Sequence, residues 1–259
     1  MLIKQDCKCT PVDKNRPLHI YLPDNYDESD EQYPVMYFFD GHNLFRDEDA
    51  SFGTCWNLSG FLKQWDKPMI IVGIECGHEG HERLDEYSPY SFGGDYAGEV
   101  NGIGDEIFRW ITEELKPYID SEFRTYYFRE ATGIGGSSMG GLMSLYGAAV
   151  YNRYFSKAAC LSPTIIPCID ELCADIRKSC LDPDTRIWLS YGESEARYKN
   201  KDAANVSETR TAVYNDRILK LLHNKNVITR QYVQPHGKHC EADWAKQVEA
   251  FMNFLWMDR

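Results

Sequence analysis

Residues 133–141 read GIGGSSMGG, and this stretch is the starting point for predicting the fold. The apolar run at 131–135 predicts a strand before it, and the spacing of apolar residues over 142–149 predicts a helix after it. A serine at such a strand-to-helix turn has a strained backbone, and its neighbours must be small for the chain to pass close to itself. The pattern G-x-S-x-G therefore predicts that Ser138 is a nucleophile.

An ordinary glycine-rich turn and a phosphate-binding loop both fit these glycines less well. An ordinary turn would not need a central serine between a strand and a helix. A phosphate-binding loop would carry a lysine after the glycines or G-x-G-x-x-G spacing, and neither is present. The amide of Met139 is expected to point toward an oxyanion at the start of the helix.

Short apolar runs alternate with helical patterns along the rest of the chain. The apolar runs predict buried strands at 35–39, 69–74, 131–135, 157–161, 187–190 and 227–233. Helices are predicted over 103–115, 142–149, 213–221 and 242–255. Pro117 is expected to help end the first helix, and the alternating residues 18–22 are typical of an antiparallel edge strand. This order predicts an α/β fold in three layers, with a mostly parallel central sheet and helices on both faces.

The length of 259 residues, without repeats or a linker-like stretch, predicts one domain over 1–259. Two segments, 76–98 and 163–183, lengthen the loops after strands, and a short helix is predicted over 169–176. Ligands of open α/β sheets bind beyond the carboxyl ends of the strands. We therefore expect these two segments to form a substrate wall.

Composition excludes several classes of function. A net charge of −12 makes nucleic acid and anionic membranes poor partners. No apolar run approaches the ~20 residues that span a bilayer, and the first residues lack the apolar core of a signal peptide. The nine cysteines are an odd number without metal-ligand spacing, which favours free thiols in a reducing cytosol. We expect a cytoplasmic protein that needs neither a metal nor an organic cofactor.

A base and an acid are predicted downstream of the serine. His236 and His239 both follow the last predicted strand, where α/β-hydrolases carry their histidine, and His239 is favoured because it lies next to the final helix. Glu193 and Glu195 follow the strand at 187–190. Either carboxylate could accept a hydrogen bond from the imidazole, and Glu195 is favoured.

Several stretches together resemble the putative-esterase family of α/β-hydrolases. This family includes esterase D, enterochelin esterase-like enzymes, feruloyl esterase domains and the mycolyltransferases of antigen 85. The matching stretches are YFFDGHNLF (37–45), ITEELKPYIDSEFRT (111–125), GIGGSSMGGLMSLY (133–146), YGESE (191–195) and GKHCEADW (237–244). The resemblance implies that Ser138 is the nucleophile, His239 the base and Glu195 the acid.

The resemblance also implies a role for Asp40-Gly41-His42, in which the backbone N–H of His42 joins that of Met139 in an oxyanion hole. The function implied is a serine carboxylic-ester hydrolase. Its small-molecule substrate would be an acetyl, feruloyl or other carbohydrate-linked or siderophore ester. Acyl transfer and thioester hydrolysis of the S-formylglutathione type use the same triad and stay open. A non-catalytic binding module on a hydrolase scaffold also stays open.

The loop ERLDEYSPY adds two charged residues of undetermined role. Arg83 and Glu86 are expected either to anchor the loop through polar contacts or to contact a polar substrate. Four aromatic residues in predicted loops are candidates to line a pocket: Trp56, Tyr87, Tyr90 and Phe92.

Overall fold

The computed structural model describes residues 1–94, 98–199 and 201–257. Its centre is one eight-stranded sheet with the spatial order β1-β2-β4-β3-β5-β6-β7-β8. The strands are β1 (Leu2–Cys9), β2 (Lys14–Tyr21), β3 (Val35–Phe39), β4 (Ile70–Ile74), β5 (Thr132–Ser137), β6 (Lys157–Leu161), β7 (Arg186–Gly192) and β8 (Ile228–Gln234). Strand β2 pairs antiparallel with β1 and β4, and all other pairs are parallel. The predicted α/β-hydrolase fold is confirmed.

Helices cover both faces of this sheet. They are α1 (Leu58–Leu62), α2 (Glu82–Glu86), α3 (Gly104–Trp110), α4 (Lys116–Glu122), α5 (Met139–Val150), α6 (Ile169–Lys178), α7 (Glu193–Lys199), α8 (Arg210–Asn224), α9 (Glu241–Ala245) and α10 (Val248–Trp256). One apolar core joins the sheet to α3, α5, α6 and α8, and a second core joins it to α1, α9 and α10. Among the described residues, no helix combines the length and apolar character needed to cross a membrane.

The central strands are buried on both sides. In β3, Val35, Tyr37 and Phe39 belong to one core, whereas Met36 and Phe38 belong to the other. Because neither face meets water, the sequence shows a continuous apolar run instead of alternation. The predicted strands 35–39 and 157–161 are confirmed with their bounds, and the other central strands differ by one or two residues at their ends.

The margins of the sheet differ from the sequence-based predictions. Residues 18–21 belong to the antiparallel strand β2, and Leu22 lies just beyond its end. Because β1 pairs along the outer side of β2, β2 is not an edge strand. The run at 227–233 forms β8, which lies at the opposite edge. Its Ile228 and Val233 are exposed because an edge strand has one neighbour and is covered on fewer sides.

Pro117 does not end its helix, which contradicts the prediction. A π-helical segment, Ile111–Leu115, connects α3 directly to α4, and the proline lies in the first turn of α4. A proline in a regular helix lacks a hydrogen-bond donor, and its ring clashes with the carbonyl four residues earlier. The wider π-helical turn just before it relieves this conflict.

Both long loops contain a helix. The segment 76–98 contains α2, and its residues 95–97 lie outside the described residues. The segment 163–183 contains α6, which confirms the predicted short helix. Helix α6 buries its apolar face against α5 and α8. The two loops follow β4 and β6 at the carboxyl end of the sheet.

Candidate active site

Ser138 lies in a strained turn between β5 and α5. Its φ of 57° and ψ of −119° fall in a region that residues with a side chain rarely adopt. The backbone amide of Ser138 donates to the carbonyl oxygen of Leu161 at 2.9 Å, which ties the turn to the end of β6. The turn therefore holds the serine at the carboxyl edge of the sheet.

The glycines around the serine permit a close approach of the backbone to itself. A Cβ atom added to Gly136 would lie 2.8 Å from the carbonyl carbon of Gly140. Since such a contact requires the backbone to move, a side chain at this position is incompatible with the turn.

His239 contacts Ser138 from the loop between β8 and α9. Its Nε2 lies 2.9 Å from Ser138 Oγ, and its Nδ1 lies 2.9 Å from Glu195 Oε1. The imidazole packs edge-on against Trp244, with ring centroids 4.9 Å apart. The indole N–H of Trp244 in turn donates to Ser162 Oγ at 3.0 Å, so the surface that supports the imidazole is itself fixed.

Glu195 lies in the first turn of α7, directly after β7, and its side chain is only 2% exposed. Two hydrogen bonds donated by backbone amides hold this turn. The amide of Glu195 donates to the carbonyl oxygen of Gly237 at 3.0 Å, and the amide of Gly192 donates to Glu195 Oε2 at 3.3 Å. The carboxylate and the histidine loop are therefore positioned together.

The alternative histidine and carboxylate lie elsewhere. The side chain of His236 is 95% exposed, and its backbone amide donates to Glu193 Oε2 at 3.2 Å. The structure thus brings Ser138, His239 and Glu195 into one hydrogen-bonded chain. His236 and Glu193 contact each other at the surface instead.

The two residues proposed for the oxyanion hole follow the carboxyl ends of two neighbouring strands, β3 and β5. Met139 is the first residue of α5, and such a position leaves a backbone N–H without an intrahelical acceptor. His42 lies in the short turn Gly41–Asn43 that follows β3, the neighbour of β5 in the sheet. Both residues line the cavity that contains Ser138.

The cavity around Ser138 and His239 has a volume of about 390 Å³. A second cavity of about 440 Å³ lies beside Glu195 and has a largely apolar lining. Phe92 and Thr164 line both cavities and come from the two long loops. The hydroxyl of Thr164 lies 3.3 Å from that of Ser138.

Of the four loop aromatics, only Phe92 lines these two cavities. Trp56 and Tyr87 are buried in the two cores. The hydroxyl of Tyr90 donates to Asp175 on α6 at 2.9 Å, so this ring packs one loop against the other.

Arg83 and Glu86 both pin the loop that carries α2. Arg83 donates from Nε and Nη2 to the two carboxylate oxygens of Asp40, at 2.8 and 2.7 Å. Burial would raise the pKa of Asp40, but the guanidinium lowers it below its ordinary value. Glu86 pairs with Arg16 and accepts a hydrogen bond from the amide of Gly77 at 3.1 Å. Arg83 also lines the cavity around Ser138.

A buried carboxyl group in this cavity was not predicted from the sequence. Glu241 begins α9, and its Oε1 accepts from Asn43 Nδ2 at 3.4 Å. Burial and the nearby charge of Asp40 raise the pKa of Glu241. Its position two residues after His239 was the sequence feature that could have identified it.

A cluster of histidines and one carboxylate also went unpredicted. Glu75 Oε1 lies 2.5 Å from His19 Nε2, and Glu75 Oε2 lies 2.9 Å from His78 Nε2. Burial alone would raise the pKa of Glu75, but these hydrogen bonds lower it to about 2. His78 packs edge-on against His42 at a centroid distance of 5.0 Å. The pair Glu75 and His78 is close in sequence, but nothing in the sequence connects it to His19 or His42.

The sheet order and the strained serine turn define an α/β-hydrolase. The family described as Putative esterase matches residues 10–254 of the chain. The chain belongs to this family and is a carboxylic ester hydrolase.

The chain is similar to several known proteins and solved structures. YbbA, an uncharacterized protein of Bacillus subtilis (strain 168), is 28% identical over 188 residues, which cover 71% of each chain. Esterase Rv1288 of Mycobacterium tuberculosis is 34% identical over 149 residues, which cover 56% of this chain but only 28% of that protein. The crystal structure of an IroE-like serine hydrolase from Shewanella oneidensis aligns with a TM-score of 0.78 at 19% identity, covering all of this chain and 81% of the other. This structural likeness shows the shared fold.

Proposed function

We propose that this ester hydrolase acts through an acyl-enzyme on Ser138, with His239 as the base and Glu195 as the acid. One observation carries the proposal: the two ring nitrogens of His239 lie 2.9 Å from the serine hydroxyl and 2.9 Å from the carboxylate. A proton on Nδ1 bonds to Glu195, which leaves Nε2 free to accept the serine proton.

In the first step Ser138 Oγ attacks the ester carbonyl, and its proton passes to His239 Nε2. The amides of His42 and Met139 stabilise the negative charge that develops on the carbonyl oxygen. Loss of one such donor typically lowers kcat by ~10²–10³-fold. Collapse of the intermediate breaks the ester bond, and the departing alcohol takes the proton from His239. Water then attacks the acyl-enzyme with the same histidine as base. This sequence of steps requires no metal and no organic cofactor.

The cavities support a small-molecule ester with polar and apolar parts. The cavity around the serine carries charged and polar side chains, including Arg83, Glu241 and His78, which suit a substrate with hydroxyl groups. The apolar cavity beside Glu195 suits an aryl or alkyl group. We therefore propose an acetyl, feruloyl or other carbohydrate-linked or siderophore ester. Because Phe92 and Thr164 contribute to both cavities, we propose that 76–98 and 163–183 form the substrate wall.

The test of this function is a panel of acetyl, butyryl, feruloyl and siderophore-type esters, with S-formylglutathione as the thioester. We expect an oxygen ester to be hydrolysed best, with kcat/KM above ~10⁴ M⁻¹s⁻¹. Adding an acceptor alcohol should not raise total turnover. A rate that requires the alcohol would indicate a transferase, and a preference for the thioester would indicate thioester hydrolysis. A folded protein that turns over none of them would indicate a binding module.

The identity of the acid is tested by a matched pair of variants. Glu195→Gln should lower kcat by on the order of 10⁴, because an amide does not stabilise the imidazolium and favours the wrong tautomer. Glu193→Gln, two residues earlier on the same helix, should keep most of the wild-type kcat. Both are measured on one p-nitrophenyl ester. A large loss in Glu193→Gln with little change in Glu195→Gln would contradict the assignment.

A further inference from the structure

Three side chains of the types that bind metal ions lie together at the cavity that contains Ser138. One ligand atom from each of His42, Glu75 and His78 lies within 4.8 Å of the other two. Both histidines line the cavity, and Glu75 directly follows β4. None of these side chains takes part in the proposed bond-making and bond-breaking steps, in which His42 contributes only its backbone amide.

His42 provides evidence for a ligand that is independent of this proximity. The residue is 6% exposed, and its Nδ1 is buried with no hydrogen-bond partner among the residues that the structure describes. Its other ring nitrogen, Nε2, lies 2.9 Å from Ser51 Oγ. A buried polar atom without a partner destabilises the folded state, because it has lost its hydrogen bonds to water. An ion bound at Nδ1 would give this atom the partner that it lacks.

A second residue holds the carboxylate of Glu75 in place by a hydrogen bond, as is usual for carboxylates that bind metal ions. Glu75 Oε1 is hydrogen-bonded to His19 Nε2 at 2.5 Å, and His19 is buried in β2. Ligating carboxylates in metal sites are normally held by such an outer partner. The other oxygen lies 2.9 Å from His78 Nε2, where a metal ion would replace the shared proton.

The three ligand atoms need to move only a short distance to reach the spacing that a bound ion requires. Tetrahedral Zn²⁺ with bonds of ~2.0–2.2 Å places its ligand atoms ~3.3 Å apart. The largest separation here is 4.8 Å, so a movement of ~1.5 Å or less is required. The side chain of His78 is 54% exposed and can make this movement without repacking the core.

We propose that His42, Glu75 and His78 bind one divalent transition-metal ion, with Zn²⁺ as the best match. Two imidazoles and one carboxylate are a donor set that suits zinc, and three protein ligands leave a fourth position for water or an oxygen atom of a bound molecule. The sequence argued against zinc on the spacing of its cysteines, but this site contains no cysteine.

The test uses the full chain, freed of metal and titrated with Co²⁺ and then Zn²⁺. Binding is measured by the visible spectrum of Co²⁺ and by calorimetry. We expect one ion per chain, displacement of Co²⁺ by Zn²⁺, and no thiolate charge-transfer band. His78→Ala should weaken binding by more than the ~10–100-fold that loss of an outer partner costs. His81→Ala, an exposed histidine on the same loop, is the matched control and should bind as the wild type does.

Two further variants separate this proposal from its alternatives. His19→Asn should weaken binding by ~10–100-fold while leaving all three ligands in place. Ser138→Ala should bind the ion with wild-type affinity, so the result does not depend on the proposed esterase mechanism. The proposal is overturned if no saturable binding occurs, if His78→Ala and His81→Ala bind equally well, or if the spectrum shows thiolate ligands.

Discussion

The His239→Ala variant is expected to lose on the order of 10⁶ in kcat on a p-nitrophenyl ester. The imidazole is the only group in the described residues that links Ser138 Oγ to the carboxylate of Glu195, with 2.9 Å on each side. Without it the serine hydroxyl keeps its proton and is a weak nucleophile. The same proton is needed later by the departing alcohol, so both halves of the reaction are affected.

The matched control for this variant is His236→Ala. His236 lies three residues away in the same loop, but its side chain is 95% exposed. Because the replacement removes no contact to Ser138 or Glu195, kcat should remain close to that of the wild type. Circular dichroism would verify that both variants are folded. A full loss in His236→Ala together with an active His239→Ala would reverse the assignment of the base.

The second large effect is expected for Ser138→Ala, which should also lower kcat by on the order of 10⁶. Removing Oγ removes the atom that forms the acyl-enzyme. The amides of His42 and Met139 and the cavity remain, and such groups alone can leave ~10³–10⁴ of catalysis over the reaction in water. Steady-state turnover and a pre-steady-state burst are the measurements, and the variant should show neither a burst nor enzyme-like turnover.

Ser137→Ala is the control for Ser138→Ala. Ser137 is the last residue of β5 and lies next to the nucleophile in the chain. It lacks the glycine two residues later that the pattern G-x-S-x-G requires, so its replacement should leave the burst in place. If Ser138→Ala kept wild-type turnover, the proposed mechanism would be wrong.

Local sequence patterns were enough to predict the fold and the serine turn. Strand β3, and β6 after its first residue Lys157, are continuous apolar runs because both of their faces are covered, and both strands were predicted with their bounds. The glycines around Ser138 act on their immediate neighbours, so their effect is visible in a stretch of nine residues. The place of His239 after the last strand follows from the same topology.

Features that depend on packing were missed or misjudged. Strand β1 alternates between partly buried and exposed residues, and its sequence lacks an apolar run. On α8 the predicted stripe included Val213, which is 49% exposed, whereas the buried face carries Ile218 and Leu222. Pro117 was expected to end a helix, as prolines usually do. The prediction failed because no pattern in the sequence indicates the π-helical turn that precedes this proline.

The polar surroundings of the serine could not be predicted for a related reason. Asp40 and Arg83 are 43 residues apart, and Asn43 and Glu241 are 198 apart, so each contact exists only once the sheet has formed. A charged residue in a loop gives no indication of its partner. The roles of Arg83 and Glu86 as loop anchors, and the group around Glu75, therefore required the structure.

The most direct test of the proposed mechanism is covalent labelling with a fluorophosphonate, followed by mass spectrometry of the digested protein. We predict one adduct per chain, on the peptide that contains Ser138, and no adduct in Ser138→Ala. The His239→Ala variant should be labelled much more slowly, because its serine is no longer activated. Two results would contradict the proposed mechanism. One is labelling at a residue other than Ser138, and the other is inhibition of hydrolysis by the probe while Ser138 stays unmodified.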